Sequence, residues 1–344
     1  MNDFETIIDL GSKNLRLGVF DETSKKIYYS EEIIIDSLEN SLSILIKDAE
    51  KNLSTHIENV VVLYDSPKFY SLDLSIKKVF DHNTSLKKVY DSLIEEAHFI
   101  ISQNNFRDQI VHLVINNIVI DENKKLTKIK NNIKIKSLIL EIKFICLNKI
   151  LLGDISNKFK INNLKILNLY CSSYVKSSYL KKRFDNKDYI IFLDIGFQKT
   201  SGLIFKNLKF KFFKSINLGG DNITKDISKV LKLSLNYSED LKIIFNKHEN
   251  DLPFKKNDFN DKNLYTEILE KNISTNILKQ IIEARIDEII ELVVSQNNFI
   301  NKLSSITKPK FVMIGGGSKL LSNNYNLNIN KFISELIIVE ENDS

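Results

Sequence analysis

One structural unit is written twice in this chain. Asp9, Gly11 and Phe20 return at a constant offset as Asp194, Gly196 and Phe205. In each copy an apolar run (Thr6 to Leu10; Tyr189 to Ile195) ends in Asp-x-Gly. A polar turn, a second apolar run (Leu15 to Phe20; Ser201 to Phe205), another turn and a third run (Lys26 to Ile35; Leu208 to Ile216) complete the unit. Short runs bounded by turn residues read as strands, and equal spacing through two separate hairpins marks a duplicated supersecondary unit. Such a chain predicts an α/β fold of two related lobes, each a mixed sheet flanked by helices.

Glycine is scarce, ten in 344 residues, and most of it gathers at Gly11, Gly196, Gly219–Gly220 and Gly315–Gly316–Gly317. Three of these places follow a strand-like run, the last being Phe311 to Ile314. Glycine permits positive φ and close approach of a ligand, so this placement predicts one nucleotide crevice fed by several strands. Asp9 and Asp194, facing each other across it, would hold Mg²⁺ through water, because that ion is bound by one or two carboxylates plus phosphate oxygens. The turns after them offer backbone amides to phosphates. Gly315–Gly317 before Ser318 would let an adenosine lie against backbone near a helix start.

Composition excludes other classes. The net charge is +5, but lysine alternates with acids and asparagine along the whole chain. No aromatic-laced basic stripe forms and tryptophan is absent, so no nucleic acid is expected. Cys146 and Cys171 make neither a disulfide framework nor a metal spacing and are expected to be buried thiols. The five histidines are scattered without ligand pairs. No apolar run approaches the ~18 residues of a membrane span, and the amino terminus runs straight into a strand, so no signal peptide is expected.

Periodicity gives the remaining plan. A helix is expected over 37–54, a strand over 60–64, extended chain over 66–80, a helix over 85–103, strands over 110–120 and 135–146, a short helix over 148–159 and a strand over 161–169. The domain reading is a first lobe of 1–65 with 165–186, an inserted small α+β subdomain at 66–164, and a second lobe at 187–344 with 221–300 as its smaller part. Asp221 is expected to cap one helix and Ser238 the next (238–246). Residues 247–270 read as a loop-rich edge, 273–300 as a long helix, and 331–338 as a short helix or buried strand of the core.

Taken in order, these motifs resemble the actin-like ATPase superfamily and, within it, the bacterial cell-division protein FtsA. Ile216 to Ile227, with Leu218-Gly219-Gly220-Asp221-Asn222-Ile223-Thr224, is similar to that family's Gly-Gly-Asp stretch. Ile281 to Ile289 resembles its Ile-x-x-Arg-x-x-Glu helix, and Ile314 to Leu320 its adenosine turn. The insert falls where this family carries its small subdomain. The resemblance implies an ATP-binding, self-assembling adaptor that links the FtsZ ring and other division proteins to the inner face of the cell membrane at midcell.

Carried over residue by residue, Asp9, Gly11 and Ser12 match the first phosphate turn. Lys13 stands beside Asn14, the position where the family has its lysine. Asp194, Gly196 and Thr200 match the second turn, with Asp194 as the catalytic candidate. Phe197, Gln198 and Lys199 depart from its glycines, which predicts weakened ATP and Mg²⁺ binding. Gly219, Gly220, Gly315, Gly316, Gly317 and Ser318 complete the cofactor set, and Glu239 falls where relatives contact the nucleoside. Lys225, Lys229 and Arg285 are the expected contacts for the acidic FtsZ tail. Residues 339–344 end acidic, without the family's basic amphipathic anchor. A pilus-assembly or rod-shape relative, and a small-molecule kinase, remain alternatives.

Overall fold

The computed structural model describes residues 4–121, 124–126, 128–129, 133–185, 189–247, 254–295, 308–318 and 334–339. It divides into two compact units, Met1–Val175 and Lys176–Ser344.

The first unit opens with β1 (Phe4–Leu10), β2 (Asn14–Asp21), β3 (Lys26–Ile33), α1 (Leu38–Leu53) and β4 (Asn59–Tyr64). The chain then enters the insert: β5 (Tyr70–Ser85), α2 (Leu86–Asn104), β6 (Asp108–Ile120), β7 (Lys124–Leu126) and β8 (Lys134–Asn148). It returns through α3 (Lys149–Ile161) and β9 (Lys165–Cys171) into α4 (Ser172–Leu180), which crosses the junction of the units.

The first sheet has the order β3-β2-β1-β4-β9. The β1–β2–β3 hairpins are antiparallel, while β4 and β9 run parallel to β1. Alternation along β1 and β2 sends Ile8, Leu10, Leu15, Leu17 and Val19 into one core, against Leu42, Leu45 and Ala49 of α1 and Phe159 of α3. Ser37 caps α1 by accepting from the Asn40 amide. The α3 helix ends before Asn163, which takes a left-handed φ of 58°, a conformation asparagine tolerates. The strand read as 161–169 therefore starts later, at Lys165.

The insert is a four-stranded antiparallel sheet, β5-β8-β6-β7, covered by α2. Leu86, Val89, Leu93, Ala97 and Ile101 recur at helical spacing and all are buried against it. Such a stripe stabilises by roughly 1.5–3 kcal/mol per fully buried large side chain. The extended segment read as 66–80 pairs with β8 as far as Ser85.

The second unit repeats the first sheet. Strands β10 (Tyr189–Ile195), β11 (Thr200–Lys206) and β12 (Lys209–Ile216) form the hairpins. Helices α5 (Gly220–Leu231), α6 (Leu235–Lys247), α7 (Lys262–Glu270) and α8 (Thr275–Ile290) follow, then β13 (Lys310–Ile314) and β14 (Glu335–Ile338). The order is β12-β11-β10-β13-β14, with the same pattern of antiparallel hairpins and parallel additions. Even the irregularity is duplicated: the register shifts between Val19 and Phe20 and again between Ile204 and Phe205.

Several expectations are corrected here. The α6 helix starts at Leu235, and its cap is Ser234, which accepts from the Tyr237 amide at 3.1 Å. Ser238 is buried inside the first turn and donates to the Ser234 carbonyl. Asp221 lies within the first turn of α5, whose cap position is Gly219. Residues 262–270, read as loop, form α7, which buries Leu264 and Ile268. The long helix is α8 followed by a π-helical turn at 291–295; its expected continuation to 300 lies outside the described residues. Residues 335–338 of the carboxy-terminal segment form edge strand β14, while 331–333 and 340–344 lie outside them. Leu320 of the adenosine turn also lies outside.

Candidate functional site

In the first unit, the parallel strands β1, β4 and β9 are in register at Leu10, Tyr64 and Cys171. Their carboxyl ends bring Asp9, Asp65, Ser172 and Ser173 to one edge, where open α/β sheets bind ligands. Gly11 turns the chain by donating its amide to the Asn14 carbonyl at 3.0 Å. A Cβ there would sit 2.9 Å from that carbonyl oxygen, so the turn selects glycine. Ser12 is exposed and Lys13 half-buried.

Asp9 is held on both oxygens. Ser172 Oγ donates to Oδ1 at 3.0 Å, and Arg16 Nη1 lies 3.5 Å from Oδ2. Arg16 is the cross-strand neighbour of Asp9, and its Nε reaches Glu31 Oε1 at 3.2 Å. Asn14, where the lysine was sought, donates to that same carboxylate. The basic group beside Asp9 is thus Arg16, which spacing alone missed. The available signal was the hairpin register, which sets Arg16 opposite the acid. Beside them Asp65 caps α4, accepting from the amide and hydroxyl of Ser173.

In the second unit three glycine places converge. The Gly196 amide donates to Lys199 O at 2.8 Å, closing the turn. The first amides of α5 then point back into it: Gly220 N–H donates to Gly196 O at 2.9 Å and Asp221 N–H to Phe197 O at 2.8 Å. Gly219 packs so closely that a Cβ would lie 2.6 Å from both those carbonyl oxygens. Its own amide donates to Asn222 Oδ1. Thr200 Oγ1 donates to Leu218 O at 2.7 Å, tying the far side of the turn to the same segment. Phe197 and Gln198 therefore do not copy a glycine wrap; their turn is latched to the amino end of α5.

From the other side comes the triple glycine. Gly315 has φ +85°, and a Cβ on it would collide with Asp194 Oδ1 and the Ile195 carbonyl. A Cβ on Gly317 would collide with the Ile195 side chain. A 3-10 turn over 316–318 follows, closed by Ser318, whose amide and hydroxyl both donate to Gly315 O.

At the centre, Asp194 is 3% exposed and its Oδ2 has no hydrogen-bond partner. A buried carboxylate oxygen without a donor is costly, and a metal-bound water or a ligand donor is what would satisfy it. Asp194 thus fits a water-mediated Mg²⁺ role; Asp9 is held in place by Ser172 and Arg16. Among the described residues no three His, Cys, Asp or Glu side chains cluster as a direct metal cage.

Two lysines are buried here: Lys199, which the sequence leaves open between a compensating charge and a solvated side chain, and Lys242, which it does not single out. Lys199 is 5% exposed and donates to Ser201 Oγ at 2.8 Å. Lys242 is 6% exposed and donates to Gly220 O at 3.0 Å, Thr224 Oγ1 at 2.7 Å and Glu239 Oε2 at 2.6 Å. Glu239 is therefore fixed beside the first turn of α5 by Lys242 and by the Thr224 hydroxyl. Their spacing, Glu239 to Lys242 on one helical face, was the missed signal. The expected partner contacts are more heavily engaged than their sequence implied. Lys225 pairs with Asp221 at 2.6 Å, and Arg285 holds Asp226 with two bonds and also meets Glu288. Lys229 is exposed in the last turn of α5.

No helix among the described residues is long and apolar enough to cross a membrane.

Comparison with known proteins agrees with this architecture. The family model for cell division protein FtsA matches residues 191–323. A curated cell division protein FtsA from Streptococcus pneumoniae serotype 2, strain D39, is 29% identical over 129 residues. That match covers 38% of this chain and only 27% of the relative, about a quarter of its length. In structure, the chain is similar to a PilM-PilN type IV pilus biogenesis complex, with a TM-score of 0.62 at 13% identity over 98% of this chain and 88% of that one. It is also similar to MreB5 of Spiroplasma citri bound to AMPPNP, with a TM-score of 0.50 at 10% identity over 100% and 93%. At such identities these likenesses establish the fold. The chain has the actin-like fold, and its residues 191–323 are similar to cell division protein FtsA.

Proposed function

We propose that this chain is an FtsA-like division adaptor that binds ATP with Mg²⁺, self-assembles, and connects the FtsZ ring to the membrane and the septal machinery. The observation that carries the nucleotide reading is the orphaned Oδ2 of buried Asp194, whose other oxygen lies against Gly315 and whose strand leads into the Gly196 turn latched by Gly219–Gly220. On this reading Asp194 holds a magnesium-bound water, and the ion neutralises phosphate charge when bound. Glu239, steadied by Lys242, accepts from ribose hydroxyls, since an ionised carboxylate is acceptor-only. Gly315–Gly317 and Ser318 flank the adenosine. In the first unit, Gly11, Ser12 and Lys13 form the turn expected to offer donors to phosphate, beside Arg16 and Asp9, the second carboxylate expected to hold a magnesium-bound water. Asp194 has at most a slow hydrolytic role, because its turn is latched to α5 and not wrapped by glycine amides. The domain plan, with 66–164 as the insert and 221–300 as the smaller part of the second lobe, is part of this proposal.

The adaptor role is tested with the acidic carboxy-terminal peptide of FtsZ. Binding at low salt that weakens as salt rises is expected for basic contacts such as Lys225 and Lys229. No binding at low salt contradicts the role. A pilus-assembly relative is the second reading, favoured by the PilM likeness. It gains if the FtsZ peptide fails while a pilus-assembly partner is captured.

A further inference from the structure

Strand β3 is the outer member of the first sheet and has no second neighbour among the described residues. Its side chains alternate. Tyr28 turns to the lobe core, where its hydroxyl donates to Asp48. Tyr29, Glu31 and Ile33 lie on the opposite face. Tyr29 and Ile33 are each 50% exposed, Ile27 at the bulge 47%, and Ile35 just past the strand 79%. Native edges are usually blunted by charge, proline or bulges. Here the bulge and Lys26, whose Nζ lies over the Tyr29 ring, both sit at the start of the strand. Residues 28–33 run in unbroken register beyond them.

We propose that this edge pairs antiparallel with the β3 of a second copy of the chain, with Ser30 on the two-fold axis. The register is self-complementary: Ile27 meets the partner's Ile33, Tyr29 the partner's Glu31, and Tyr28 the partner's Glu32. Glu31 brings no uncompensated charge to this seam, because Arg16 and Asn14 already hold its carboxylate. A shift that moved the axis onto Glu31 would oppose like charges, which destabilises a cross-strand pair. The result is one continuous ten-stranded sheet through two molecules, a C2 contact of the commonest kind. The inference is independent of nucleotide binding.

Two measurements on the full chain test it. Directly opposed antiparallel residues have Cα atoms about 4.5–5.5 Å apart, within disulfide reach. Ser30→Cys should therefore cross-link to a covalent dimer under mild oxidation, while Lys26→Cys, which does not face itself, should form no covalent dimer. The native cysteines are buried. By light scattering the wild type should show a concentration-dependent dimer, and Tyr29→Lys with Ile33→Lys should weaken it at least about tenfold, circular dichroism being unchanged. A wild type that is monomeric at every concentration overturns the proposal, whether or not it captures an extended peptide. So does Lys26→Cys cross-linking as readily as Ser30→Cys.

Discussion

At single residues, the second turn is governed by what its glycines leave out. Gly315 stands at positive φ against Asp194, so Gly315→Ala should displace the carboxylate as well as strain the backbone by roughly 1–2 kcal/mol. A non-glycine residue in a similar conformation offers the converse test. Asn207 and Leu208 join β11 to β12 with φ of 52° and 59°, the two-residue hairpin turn that favours Asn-Gly. Leu208→Gly should therefore raise stability by about 1 kcal/mol, read as a higher urea midpoint at unchanged slope; a lower midpoint contradicts the strain. His112 gives a pH prediction. Burial pushes its imidazole down to about 4, and its Nε2 accepts the Cys171 amide at 2.8 Å between Tyr170 and Tyr174. The folded state holds the neutral form and the unfolded state binds the proton more readily. Stability from this group is complete above pH 6.5 and is lost as pH falls toward 4, in total about 3 kcal/mol. Denaturant melts across that window should show the slope in wild type and a shallower one in His112→Gln; equal slopes refute it.

At the level of elements, the helix caps divide what was legible from what was not. Ser234→Ala should cost about 1 kcal/mol in a melt, because Ser234 and not Ser238 caps α6; a neutral result would restore the sequence-based cap. Two serines four positions apart satisfy the same capping rule, and only burial of Ser238 decides between them. The duplicated hairpins were readable because side-chain alternation and the Asp-x-Gly turns are local. The spacing preserved even Phe20 and Phe205, where both hairpins carry their bulge. The α7 helix was hidden because its segment is polar and fully buries only Leu264 and Ile268, too few for a periodic signal. Arg16, Lys199 and Lys242 were hidden for another reason. A lysine or arginine in sequence looks solvated, and only cross-strand register or a neighbouring helix reveals what it holds.

For the whole molecule, a duplicated sheet gives two strand-end aspartates with different surroundings. Asp9 is braced by Ser172 and Arg16, whereas Asp194 keeps a buried oxygen unmatched. The departure of Phe197 and Gln198 from glycine does not leave the turn empty, because α5 donates its first amides to it. Calorimetric titration of the full chain with a non-hydrolysable ATP analogue and Mg²⁺ tests the account most directly. The prediction is one saturable site, weakened at least about tenfold by Asp194→Ala and likewise by Gly315→Ala, with folding intact, as expected for losing one charged contact. A wild type that shows no binding, or variants that bind as tightly as the wild type, would contradict it.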